Sequence, residues 1–199
     1  MEYLITNVTE LNTKKSRVEI NYDMEIALYK GELRRFHIKR DEFLSEEHYH
    51  EIMDEILPKR ARERCLNLLA RRSMTEKEIR RKLKEGFYPE EIIEYVIELL
   101  VRHRLINDEY YADSYVEYNC KVKSARQIKQ ELIHKGVDKE TILCAMSECE
   151  INEEENIRKL MNKKRMNPQD ATEEEKNKFC AYLLRKGYDY DKIRKVILI

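Results

Sequence analysis

The sequence predicts a mainly α-helical protein: a tandem array of three three-helix repeats behind a small antiparallel β segment at the N-terminus. Three observations predict it. The 199 residues hold 4 Gly and 3 Pro, where average usage implies about 14 and about 10. Leu and Ile recur at helical spacing from residue 58 onward. Three of the four glycines, Gly86, Gly136 and Gly187, stand 50 and 51 residues apart in similar surroundings. A chain of this length buries roughly 70% of its unfolded surface.

The first element is the β segment. Arg17 to Tyr22 alternates and puts Val18, Ile20 and Tyr22 on one face. Ile26 and Leu28, then Leu33, Phe36 and Ile38 beyond a Lys30-Gly31 turn, continue a short-strand pattern. This reads as two to four strands, too few to stand alone, so they pack on the helical part of the chain. Asp41 or Ser45 caps a helix running to about Leu57. Residues 1–57 form this first segment.

The repeats come next: residues 58–106, 107–151 and 152–199. Each of the three glycines is followed by an apolar residue (Phe87, Val137, Tyr188), and six residues on by Ile92, Ile142 and Ile193. Upstream, Ile128 and Leu132 match Phe179 and Leu183, and Ile79 and Leu83 match with a one-residue deletion. Each unit reads as helix, turn, helix, Gly, helix. In the first, Cys65, Leu66, Leu68 and Leu69 face the core, and Thr75 to Glu78 is a capping box. Gly86 is the expected left-handed stop of the second helix, and Pro89 sits near the first position of the third. Three stacked units share apolar surface that one alone cannot bury, so the expected shape is an elongated array.

Composition excludes several classes. So few glycines argue against glycine-rich phosphate loops and dinucleotide folds. No apolar run approaches the ~18–20 residues of a membrane span; Ile92 to Val101 is interrupted by Glu94 and Glu98. Met1-Glu2-Tyr3 has no basic region of a signal peptide. Cys65, Cys120, Cys144, Cys149 and Cys180 form no C-x-x-C and read as reduced core thiols of a cytosolic protein. His48 and His50 point to different faces, and His103 and His134 sit near helix C-termini, where a cation is favourable. The triplets Glu153–Glu155 and Glu173–Glu175 fan around helix starts. No metal site, no cofactor and no catalytic constellation is expected. Tyr111, Tyr115 and Tyr118 share a stripe at core spacing, with Tyr110 beside it.

Charge is more informative. The 39 basic and 39 acidic residues cancel, but the four segments carry −5, +5, −3 and +3. Residues 59–84 hold 11 basic and 3 acidic residues. Lys77, Arg80, Arg81 and Lys84 form one helical stripe preceded by Arg71 and Arg72. The matching run in the second unit is Lys121, Lys123, Arg126 and Lys129. In the third it is Lys163, Lys164 and Arg165, then Arg185 and Lys186. Such an edge suits a solvated face or a polyanion, and each unit has the size of a helix-turn-helix.

Four runs carry a family resemblance. Leu68–Leu83 (LLARRSMTEKEIRRKL) resembles the first repeat of the RecX regulatory proteins. Leu105–Ala112 (LINDEYYA) is similar to their LND-x-x-[FY]-A segment, Ile128–Val137 (IKQELIHKGV) to I-x-x-E-L-x-x-K-G-I, and Tyr182–Tyr188 (YLLRKGY) to the third-repeat ending. The resemblance covers roughly residues 58–199. Where the family often has Gly before the second unit's middle helix, this chain has Lys123-Ser124-Ala125. The resemblance implies a cytoplasmic, non-enzymatic regulator that binds the RecA recombinase filament along its groove. It would restrain filament extension, ATP hydrolysis, strand exchange and co-protease activity. Single- or double-stranded DNA is a further expected partner, a membrane is not, and without a long heptad a monomer is expected. Two other readings stay open: a direct DNA-binding protein of tandem helix-turn-helix-like units, and a helical-repeat scaffold for a protein partner.

Overall fold

The computed structural model describes residues 2–197. Met1 and residues 198–199, the outer ends of the first and last expected segments, lie outside the described residues. The chain divides into two compact units, Met1–Ile106 and Asn107–Ile199.

In the first unit β1 (Tyr3–Glu10), β2 (Lys15–Ile20), β3 (Met24–Tyr29) and β4 (Phe43–Leu44) form an antiparallel sheet in the order β3-β2-β1-β4. Val18 faces Val8 on one side and Ile26 on the other. Alternation does not reveal β1, because a bulge between Ile5 and Asn7 breaks its period. Asn21 and Tyr22 have φ of 53° and 65°, as a type I′ hairpin requires. Tyr22 is therefore a turn residue and exposed, not a neighbour of Val18 and Ile20 in the core. The strand pattern expected through Leu33, Phe36 and Ile38 is also corrected. Leu33 lies in helix α1 (Lys30–Arg35), opened by the Glu32 carboxylate accepting from the Tyr29 N–H at 2.7 Å, while Phe36 and Ile38 enter the core from a loop.

Ser45, not Asp41, caps the next helix, its Oγ accepting from the His48 N–H at 3.2 Å. That helix does not stop near Leu57. α2 (Glu46–His50), a π-helical stretch (Glu51–Ile56) and α3 (Leu57–Leu69) run on without a break. Pro58 explains the wide turn: it has no N–H for the carbonyl four residues back, and its ring crowds that carbonyl. α4 (Glu76–Lys84) and α5 (Glu90–Arg102) complete the first repeat, with Pro89 as N-cap of α5 rather than inside it. Ile5, Val18, Ile26 and Leu28 from the sheet share one core with Leu57, Ala61, Cys65, Ile79, Leu83 and Ile93. Leu66, expected on the core face, is exposed.

The second unit holds α6 (Asp108–Asn119), α7 (Ala125–Lys135) and α8 (Lys139–Ser147), then α9 (Glu153–Lys164), α10 (Glu173–Arg185) and α11 (Tyr190–Ile197). Ala112, Val116, Ile128, Leu132 and Ile142 form one core; Ile157, Phe179, Leu183, Tyr188 and Ile193 form the other. The tyrosine stripe is displaced from the core face. Ala112, Val116 and Asn119 are buried, Tyr111 and Tyr115 are half-buried, and Tyr118 is 83% exposed. All five cysteines are free, but Cys144 is exposed rather than in the core.

The repeat register needs one correction. Gly136 and Gly187 have φ of 94° and 82°, the left-handed stop expected of them. In the first repeat that position belongs to Phe87, with φ of 57°, and not to Gly86. The hydrogen bonds agree. Tyr88, Val137 and Tyr188, each following the left-handed residue, donate backbone N–H to Leu83, Leu132 and Leu183 at 3.3, 3.1 and 3.2 Å. Aligned on Phe87, the one-residue deletion vanishes, and the buried isoleucine six residues on is Ile93, matching Ile142 and Ile193. Gly86 is small for another reason: a Cβ there would lie 2.9 Å from the Tyr88 ring.

Candidate functional site

The basic edges fall into two classes. In the first repeat the stripe is largely neutralised by its own fold. Arg80 Nε donates to Glu76 at 2.7 Å, and its two Nη atoms donate to Glu94 at 2.5 and 2.8 Å, clamping α4 to α5. These bonds, that to Glu94 foremost, raise the Arg80 pKa and hold the Glu94 carboxyl below its usual range. Lys84 pairs with Glu90 at 2.9 Å, Arg81 with Glu85 at 3.8 Å and Arg72 with Glu78 at 3.2 Å. Arg71 and Lys77 are exposed and carry no ion pair among the described residues.

In the second repeat Lys123 is committed. Its Nζ donates to Glu131 at 2.7 Å and to the Tyr115 hydroxyl at 3.0 Å, and Tyr115 also donates to Glu131. Burial pulls the Lys123 pKa down, but these bonds outweigh it and raise it. Burial likewise pushes Glu131 up, and its bonds from Lys123, Tyr115 and Gln127 bring it below its usual value. Lys121 and Arg126 are exposed and Lys129 is half-buried; none has an ion pair among the described residues.

The third repeat differs. Lys163, Lys164, Arg165 and Arg185 are exposed, Lys186 is half-buried, and none has an ion pair among the described residues. Arg165 ends α9 in the left-handed conformation with φ of 54°. Lys164 Nζ and Lys186 Nζ lie 5.6 and 5.5 Å from the centre of the Tyr182 ring, which stacks on Phe179 at 5.8 Å. Beside them opens a groove of about 580 Å³ lined by Lys164, Arg165, Met166, Asn167, Phe179 and Tyr182 among others. The basic pattern of the sequence does not include Tyr182. The signal that marks it is its place five residues before the left-handed residue, where the other repeats carry Lys82 and Glu131.

Repeats two and three are joined by buried polar bonds. Ser124, in the position where the resemblance leads one to expect glycine, caps α7 by accepting from the Gln127 N–H at 3.1 Å and donates to the Lys186 carbonyl at 2.7 Å. Asn156 donates to the carbonyls of Cys120 and Lys123 at 2.8 and 3.1 Å. Glu153, only 5% exposed, accepts from the Ala125 N–H at 2.8 Å and from Lys192 Nζ at 3.0 Å. The acidic triplet at 153–155 thus does more than meet the helix dipole. The third repeat is tied to the second through the Lys186 carbonyl, Asn156 and Glu153.

Among the described residues no helix is long and apolar enough to cross a membrane, and no group of three or more His, Cys, Asp or Glu is placed to hold a metal ion.

Residues 61–100, 107–146 and 152–197 match the first, second and third three-helix domains of RecX. A regulatory protein RecX of Clostridioides difficile is 31% identical over 98% of this chain and 94% of that protein. One from Clostridium acetobutylicum is 31% identical over 98% and 95%. A crystal structure of regulatory protein RecX superposes with a TM-score of 0.59 at 23% identity, covering 98% of both chains. That of RecX from Lactobacillus salivarius gives 0.57 at 28% identity, over 71% of this chain and 95% of that one.

Proposed function

The chain belongs to the RecX family of regulatory proteins, and on that premise we propose that it is a negative regulator of the RecA recombinase. In this reading it binds the RecA–DNA filament along its groove and inhibits filament extension, ATP hydrolysis, strand exchange and co-protease activity, acting in the cytoplasm and catalysing nothing itself. The observation that carries the reading is the third-repeat edge, where Lys163, Lys164, Arg165, Arg185 and Lys186 stand without ion pairs among the described residues. Alternating segment charges of +5, −3 and +3 suit a protein–nucleic-acid filament, which offers both signs, better than bare DNA.

The test is DNA-dependent ATP hydrolysis by the cognate RecA on single-stranded DNA in excess, with this protein titrated in. Inhibition well below one protein per recombinase is expected, since competition for free DNA cannot act at that ratio. The second reading, direct DNA binding, draws on the same cations. It predicts no sub-stoichiometric inhibition and an affinity for DNA alone that falls steeply with salt.

A further inference from the structure

We propose that the groove between the end of α9 and α10 is a nucleotide site: it seats one base of single-stranded nucleic acid against Tyr182 and takes the flanking phosphates on Lys164, Arg165 and Lys186. The proposal deepens the filament-binding reading and rests on it for the source of the strand.

Comparison of the repeats carries the argument. Position by position, the residue five before the left-handed turn is Lys82, Glu131 and Tyr182. In the first repeat Lys82 is bound by Glu85 at 2.6 Å. In the second, Glu131 itself is the acceptor that neutralises Lys123. In the third the acceptor is absent and an aromatic ring stands in its place, with a lysine ammonium 5.6 Å from its centre on one helix and another 5.5 Å away on the other. A ring that attracts cations by its face offers the same face to a base. The groove beside it, about 580 Å³, is in the range of pockets that take small ligands. Two acids also line it, Glu175, which accepts from the Thr172 N–H at 2.9 Å, and Asp170, which accepts from Asn167 Nδ2 at 2.5 Å; both keep their charge, against Lys164, Arg165 and Lys178 of the same lining. An aromatic platform flanked by Lys164, Arg165 and Lys186, none of them in an ion pair among the described residues, is the chemistry of a site for a single-stranded polyanion with exposed bases. A duplex hides its base faces and fits less well. The strongest cationic run of the sequence, on α4, offers no such site because Arg80, Arg81 and Lys84 are bound to their own carboxylates.

The experiment is fluorescence anisotropy of a labelled oligothymidylate with the full chain, beside an abasic oligomer of the same length and a duplex. The oligothymidylate is expected to bind tighter than both. Tyr182→Leu should weaken it about tenfold, the worth of one stacked base, with Tyr182→Phe near the native value. Lys164→Glu, at an exposed residue, guards against a folding artefact; it should lower affinity and flatten the slope of log affinity against log salt by about 0.7 or more. Equal binding of the abasic oligomer, or no change in Tyr182→Leu and Lys164→Glu, overturns the site. So does preferential binding of the duplex. RecA inhibition is read separately. If it persists in Tyr182→Leu and Lys164→Glu while neither binds the oligomer less well, the nucleotide site fails and the regulator stands; if native protein binds the oligomer as described but never inhibits RecA, the site stands and the regulator fails.

Discussion

Glu131 takes hydrogen bonds from Tyr115, Lys123 and Gln127, and the sum holds its carboxyl below the usual range although burial pushes the other way. A carboxyl lowered in the folded state stabilises above its unfolded pKa of about 4.3, and that stabilisation is lost as pH falls through the lowered folded value. Native protein is therefore expected to melt above Glu131→Gln at pH 7, and the gap between the two melting temperatures should close below about pH 4. A gap that stays constant from pH 7 to about pH 3 would contradict the ionic role. The bond partners of Lys123 were not legible in the sequence. Glu131 lies eight residues away, and only the packing of α6 on α7 brings Tyr115 between them. The same holds for Arg80: its basic stripe is visible by spacing, but Glu94 lies across a turn on another helix.

The helices themselves were legible where the signal is local. Thr75 with Glu78, Ser124, Asn152 and Thr172 cap as their types predict. The turn of the first repeat was not, because a glycine next to the left-handed position drew the assignment to itself. Two glycine substitutions separate the roles. Gly187→Ala places a Cβ at φ 82° and 3.1 Å from Ser124 Oγ, and is expected to cost about 1–3 kcal/mol through backbone strain alone. Gly86→Ala carries no such strain and acts chiefly through the Tyr88 ring 2.9 Å away, with the Leu83 carbonyl oxygen at 3.2 Å as a second contact. Urea unfolding should therefore show that adding Tyr88→Leu relieves Gly86→Ala, while no trimming of Ser124 fully relieves Gly187→Ala. Equal rescue in both cases would mean that crowding, not φ, sets the cost at Gly187. The π-helical stretch was likewise invisible as such. Pro58 is plain in the sequence, but whether a helix breaks at a proline or widens before it depends on Ile52 and Met53 finding core on both sides.

Over the whole molecule, the class of fold followed from sparse glycine, helical spacing and a repeat near 50 residues, and those signals are global enough to survive the local misreadings above. The N-terminal sheet was readable in kind but not in extent, since β1 is bulged and β4 has two residues. Its place in the energetics is clearer: Val18, Ile20, Ile26 and Leu28 belong to the same core as Leu57, Ala61 and Cys65. A chain of residues 58–199 loses that cover. It is expected to show a lowered, broadened thermal transition by circular dichroism, with residues of α3 exchanging their amide protons at near-surface rates. A transition as sharp and as high as that of the full chain would show the sheet to be dispensable for the first repeat.

The oxygen of Ser124 serves two neighbours at once, as acceptor for the start of α7 and as donor to the chain just after α10. Fraying of the first turn of α7 removes the hydroxyl from both tasks together. The carbonyl that the hydroxyl holds is that of Lys186, one of the two lysines flanking Tyr182. The Lys186 end of the cationic edge and the first turn of α7 thus share a single hydroxyl.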